Sequence, residues 1–164
     1  INEDLGCGTG QTAKFLLNAG IEDLVGIDLS SEMIKEASAL NKSIDFAVGN
    51  MLELAKVEEE FGAVLAFYSI VHFNYAEIEK VFAEIYRVLK TSGQFLFSFH
   101  VGDEQTDLEE FLNKKVKITF CYFEVDRILE MIEKVGFMVL ETVVRYPYRD
   151  VEYPSKRAYI LAEK

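Results

Sequence analysis

The stretch Asp4-Leu5-Gly6-Cys7-Gly8-Thr9-Gly10 sets three glycines at every second position, between a short apolar start and a helical pattern. Glycine lets a backbone take positive φ and approach a ligand with no Cβ in the way. A helix opening at Gly10 also points unpaired N–H groups and a partial positive charge at the same spot. Asp28 closes the next apolar segment, where a carboxylate can accept from both hydroxyls of a ribose. Glycine loop and acid together fit an adenosine-like ligand.

The spacing narrows the choice. Dinucleotide folds use G-x-G-x-x-G to admit a pyrophosphate, whereas this loop reads G-x-G-x-G with Gln11 next. Asp4, two residues ahead of Gly6, repels a pyrophosphate and attracts an ammonium. A ligand with adenosine at one end and an amino acid at the other satisfies both; S-adenosyl-L-methionine is such a molecule.

The elements that must hold these residues alternate along the chain. Strands are expected at Ile1–Leu5, Leu24–Leu29, Ile44–Val48, Ala63–Phe67, Gln94–Phe99, Phe137–Val144 and Arg157–Ala162. Helical patterns fall at Gly10–Asn18, at the segment through Met33, Ile34 and Ala37 capped by Ser30 or Ser31, through Ile78–Leu89, and through Val125–Ile132 up to Gly136. The polar stretch Gly102–Lys115 reads as a loop or a loosely helical insertion. The alternation argues for a single domain over 1–164: an open, doubly wound, mostly parallel α/β sheet with helices on both faces. Its last two strands, with no helix between them, read as an antiparallel hairpin.

Composition excludes several classes. No apolar run reaches the roughly 18–20 residues of a membrane span, and half of the residues are hydrophobic, which argues against disorder. A net charge of −11 with no long basic run disfavours a nucleic-acid substrate and favours a small molecule. Cys7 and Cys121 are far apart and form no C-x-x-C pair, so no metal site is expected, and reduced thiols fit a cytoplasmic protein.

DLGCGTG, GIDLSSEM, FAVGNM, AFYSIVHF and EIYRVLKTSGQFLFSF occur in that order, and together they resemble a class I S-adenosylmethionine-dependent methyltransferase of the small-molecule type. The resemblance implies a Rossmann-like seven-stranded sheet in the order 3-2-1-4-5-7-6 with strand 7 antiparallel. It implies that Asp4 and Gly6 hold the methionine amino group, that Gly8 and Gly10 let the loop wrap the methionine part, and that Cys7, between Gly6 and Gly8, belongs to the same cofactor-binding loop as a small residue that fits it. Asp28 would bind the ribose; Leu29 and Met33 would flank the adenine, Asn50 and Met51 read its edge, and Ala66 and Phe67 line the methionine end. Asn50 replaces the aspartate usual in the family, and its amide oxygen can still accept from the adenine amino group. The family has lid helices ahead of the first strand, so such a segment is expected to be missing before Ile1.

His72 follows the fourth strand and His100 ends the fifth. These strands are neighbours in the implied order, so both imidazoles are expected at the acceptor pocket. A neutral His72 could take a proton as the methyl group arrives, or it could simply cap the next helix. Phe67, Tyr68, Phe73, Tyr75, Tyr146, Tyr148 and Tyr153 cluster in the same regions, while Arg145 and Arg149 could meet an acidic substrate or form surface ion pairs. The expected activity is methyl transfer to a small-molecule acceptor. The alternatives are a cofactor-binding protein without turnover and an NAD-dependent oxidoreductase.

Overall fold

The computed structural model describes residues 2–55, 58–111 and 114–164. Strands β1 (Asn2–Leu5), β2 (Leu24–Asp28), β3 (Asp45–Val48), β4 (Phe61–Phe67) and β5 (Leu89–His100) run parallel. Helices α1 (Gln11–Asn18), α2 (Ser31–Leu40) and α3 (Tyr75–Val88) alternate with them. After β5 come β6 (Gln105–Phe111), β7 (Lys114–Cys121), α4 (Val125–Val135), β8 (Met138–Arg145) and β9 (Arg157–Glu163). The main sheet has seven strands in the order β3-β2-β1-β4-β5-β9-β8, with β9 antiparallel to both neighbours. Apart from the two extra strands β6 and β7, this is the expected topology.

Two apolar layers cover the sheet. Strand alternation sends Phe95, Phe97 and Phe99 to one face, all fully buried, where Phe82 of α3 packs on the first two at centroid distances of 6.0 and 5.3 Å. Ile78, Val81 and Ile85 of α3 and Ile128 and Ile132 of α4 complete that core. Ala13 of α1 joins Leu24 and Ile44 in a second, smaller cluster with Leu16, Leu17 and Phe46. The helices therefore lie on both faces, which leaves the carboxyl ends of β1, β2 and β4 open between them.

The segment expected as a loop or loose helix over Gly102–Lys115 is instead largely an antiparallel hairpin, β6 against β7, with residues 112 and 113 outside the described residues. Its backbone groups pair with each other, and Thr119 Oγ1 donates to Asp107 Oδ1 across the ladder at 2.7 Å. The charges of Lys115 and Lys117 concealed an alternation of polar and apolar residues along 115–120.

Asn74, not His72, caps α3. Its side chain accepts from the N–H groups of Ala76 and Glu77 at 2.9 and 3.1 Å, and Glu77 Oε2 accepts from Asn74 N–H at 2.9 Å. This reciprocal box leaves few unpaired donors at the helix start. Asn74→Ala is expected to lower stability by about 1 kcal/mol, a melting-point fall of about 3 °C, with Asn74→Ser recovering most of it. An unchanged melting curve would remove the cap from this account.

Candidate functional site

The glycine loop leaves β1 and turns into α1 over the tip of β2. Gly6 N–H and Cys7 N–H both donate to Ile27 O, at 2.7 and 3.0 Å, so one carbonyl pins the turn. Gly6 has φ +70°, and a Cβ there would overlap Ser69 Cβ and press Met51 Cε at 2.9 Å. Gly8 has φ +53° and no described residue within 4 Å of its Cβ position, so its bare backbone faces outward. Gly10 is packed on Phe46 and Asn41, where it opens α1. Of the three glycines, only Gly8 presents its backbone outward; the other two make room for the protein itself.

Asp28 joins the loop to β2. Its Oδ2 accepts from Gly8 N–H at 2.9 Å, and its Oδ1 accepts from Ser30 N–H at 2.8 Å. Each oxygen keeps a further lone pair. Around it lies an apolar shelf at the tips of β2 and β3 and the first turn of α2: Leu29 is 72% exposed, Val48 57% and Met33 38%. Ser30 fixes that turn by accepting from Met33 N–H at 3.3 Å. Exposed apolar side chains beside a bonded carboxylate suit a flat base next to a ribose. Val48 was not among the expected residues, because its side of β3 is set only by the pairing with β2.

Asp4 is 1% exposed, and its carboxylate accepts from Ala13 N–H at the start of α1, while Oδ2 has no hydrogen-bond partner among the described residues. Burial, with the negative charge of Asp28 adding to it, pushes the Asp4 carboxyl up to about 7. An orphaned buried carboxylate oxygen is costly and calls for a cation or a donor. The Cys7 thiol is buried beside Gly26 and pushed up to about 12 by burial, so it is inert; Cys7 supports the loop instead of facing a ligand.

Two of the expected side chains, those of Ala66 and Met51, are buried, while Asn50 stays exposed. Ala66 is fully buried in the main core, because strand alternation sends its neighbours Leu65 and Phe67 to the opposite face; Phe67 alone of the pair Ala66 and Phe67 is exposed, at 41%. The Met51 side chain is buried under Gly6, which leaves only its backbone for an adenine edge. Asn50 is exposed, with Oδ1 accepting from Leu52 N–H at 3.0 Å, so one lone pair of that oxygen is already engaged. The 50–54 segment is tied down by α3: Leu54 N–H donates to Glu84 Oε2 at 2.9 Å, and Arg87 Nη2 donates to Leu54 O at 2.9 Å.

The far side of the site is aromatic. His72 ends a 3₁₀ turn, Ile70–His72, and its ring lies 4.9 Å from that of Phe120 on β7. Burial pushes it below the usual histidine value, opposed by a hydrogen bond to the Thr119 backbone and by the charge of Asp28. His100 ends β5, with Nδ1 2.7 Å from Ser155 Oγ and its ring 5.0, 5.7 and 6.1 Å from Tyr68, Tyr122 and Tyr153. Burial and the nearby Arg157 push it down as well. Both histidines are therefore neutral at pH 7. The Asp28 charge acts on both Asp4 and His72. Phe120 and Tyr122 were not among the expected residues, since the segment before them read as a loop or a loosely helical insertion.

Arg145 is an ion pair, donating to both carboxylate oxygens of Glu152 at 2.8 Å. A separate apolar groove of about 200 Å³ lies at the amino ends of β1, β2 and β4, lined by Leu16, Ile21, Leu24, Leu65, Leu96 and Leu161; it is remote from the loop and not part of the site.

The methyltransferase-domain family matches residues 4–93, which include the glycine loop, Asp28 and the turn after β4. YcgJ of Bacillus subtilis, an uncharacterized methyltransferase, is 30% identical over 115 residues, covering 67% of this chain and 44% of its own. The chain thus spans less than half the length of the first curated relatives it matches. A SAM-dependent methyltransferase from Methanosarcina mazei shares the fold at TM-score 0.87 and 17% identity, covering 99% of this chain and 91% of that one. The [4+2]-cyclase SpnF also shares it, at TM-score 0.77 and 18% identity over 99% of this chain and 74% of its own.

Proposed function

Since the chain belongs to the class I S-adenosylmethionine-dependent methyltransferase family, we propose that it transfers a methyl group from S-adenosyl-L-methionine to a small-molecule acceptor. The observation that carries this reading is the Asp28 carboxylate bonded to the bare Gly8 N–H beside the apolar shelf. The residues present fit the donor: an open cradle at Gly8, spare lone pairs on Asp28 and an unpartnered buried oxygen on Asp4.

In this reading Asp28 holds the ribose hydroxyls, and Leu29, Met33 and Val48 cover the adenine. Asn50 Oδ1 and the Met51 backbone meet the adenine edge. Asp4, under the loop, attracts the ammonium directly or through a water, and Phe67 borders the methionine end. When bound, the sulfonium supplies an electrophilic methyl group. The chain contributes in-line positioning and exclusion of water, much of it from the aromatic wall of Phe67, Phe120 and Tyr122. His72, neutral and fixed through Thr119, is placed in the reading as the group that takes the acceptor's proton. A cytoplasmic setting accords with the free thiols of Cys7 and Cys121. Among the described residues no helix is long and apolar enough to cross a membrane.

That a [4+2]-cyclase shares this fold keeps a second reading in view, in which this chain binds the donor without transferring its methyl group. Full-length protein incubated with methyl-labelled donor and a metabolite extract, followed by mass spectrometry, separates the two. Labelled product together with S-adenosylhomocysteine is expected. Donor binding without product across a broad panel favours the second reading, and no binding at all sinks both.

A further inference from the structure

Tyr68 follows β4 with φ +53°. A bulky side chain in the left-handed region is strained, and such residues persist only where their surroundings hold them. Here they do. Tyr68 N–H donates to Ser98 Oγ at 3.0 Å, and its hydroxyl lies 2.8 Å from that of Tyr159 on β9. Tyr159 in turn accepts from Arg145 Nη2 at 2.8 Å, and Arg145 is locked by both oxygens of Glu152.

The strain has a geometric product. In an extended chain, residues 67 and 69 would share a face. The left-handed residue between them breaks that alternation. Phe67 stays out at the site, 41% exposed, while Ser69 is buried against Gly6, close enough to forbid any side chain there. The Ser69 hydroxyl has no hydrogen-bond partner among the described residues. One turn therefore sets both the aromatic border of the methionine end and the floor beneath the glycine loop.

We infer that Tyr68 is a positioning residue for the amino-acid end of the donor: its clamp to Tyr159 and Arg145 seats Ser69 under Gly6 and so fixes the loop. The inference rests on the donor reading above. It couples the long β8–β9 connection, where Glu152 lies, to a site on the other side of β5.

The test compares two nucleosides by calorimetry, S-adenosylhomocysteine and 5′-deoxy-5′-methylthioadenosine, which lacks the amino-acid end. Tyr159→Phe removes only the hydroxyl that holds Tyr68. It is expected to weaken S-adenosylhomocysteine by about three- to tenfold, the effect of one hydrogen bond, and to leave methylthioadenosine within about twofold. Tyr68→Phe should lose the same amount, and the double variant no more than either single one. Equal losses on both nucleosides would reduce the chain to a general stabiliser and overturn the inference, as would unaltered affinity in variants that melt like the parent. Additive losses in the double variant would overturn it too. If the parent binds neither nucleoside, the donor reading fails first and takes the inference with it. Should Tyr68→Phe not fold, Tyr159→Phe and Ser98→Ala still decide, since each removes one hold on Tyr68 and neither deletes its ring.

Discussion

Asp28→Ala is expected to weaken S-adenosylhomocysteine at least a hundredfold. Hydrogen bonds to an ionised carboxylate contribute about 1.5–3 kcal/mol each. Losing both ribose hydroxyl contacts therefore removes about 3–6 kcal/mol, or roughly two to four orders of magnitude in Kd. The same carboxylate accepts from Gly8 N–H and Ser30 N–H, so part of the loss comes from a loop no longer held in the binding conformation. Asp28→Asn keeps the shape and one acceptor oxygen, and its loss should fall between the two. Calorimetry on folded protein measures this directly. A Kd for Asp28→Ala within about threefold of the parent would dispose of the ribose assignment.

Asp4→Asn is expected to raise stability while weakening the donor. Burial holds the Asp4 carboxyl at about 7 in the folded chain, against the ordinary 3.8 in the unfolded one. A carboxyl raised on folding binds more protons in the native state, so stability falls as pH rises between those two values and is flat above. The full penalty, present above about pH 7, is on the order of 4 kcal/mol. Asparagine mimics the protonated acid and escapes it. The variant should therefore melt higher than the parent at about pH 8, with the difference gone by about pH 4. The groups that face this carboxyl are Asp28, whose charge raises it further, the Cys7 thiol, and the Ala13 N–H, which lowers it.

The affinity should move the other way. A ligand ammonium favours ionised Asp4, so parent affinity for S-adenosylhomocysteine should climb with pH through about 7. The Asp4→Asn affinity should be lower and without that climb. This is the expected form of a residue that sacrifices stability for binding. Parent affinity independent of pH across that range, or a variant less stable than the parent at about pH 8, would refute the role given to Asp4.

Much of this protein was legible from short spacings. The glycine loop, Asp28 at a strand end and the stripe of Ile78, Val81, Phe82 and Ile85 are patterns within a few residues, created by backbone sterics and helical or strand periodicity that need no distant partner. The order of elements limits the sheet to an open, mostly parallel one with an antiparallel hairpin at its end; the strand order was implied by the family resemblance, and the structure has it. The hairpin β6–β7 was hidden because each strand is stabilised by the other, and the charge-rich composition masked the short alternation along 115–120 that marks β7.

What each residue faces was decided only in three dimensions. Ala66 turned into the core and Phe67 out of it through the register of β4 on β5. Gly6 and Gly8 look alike in sequence, yet one is a packing requirement against Ser69 and the other an open cradle. Tyr68 carries no local mark of its left-handed backbone, which exists because Ser98 and Tyr159, 30 and 91 residues away, hold it there. Spacing along the chain determines which chemistry is available, because it is set by short-range sterics. Burial, strain and proton affinity depend on contacts between distant segments, and those exist only once the chain has folded.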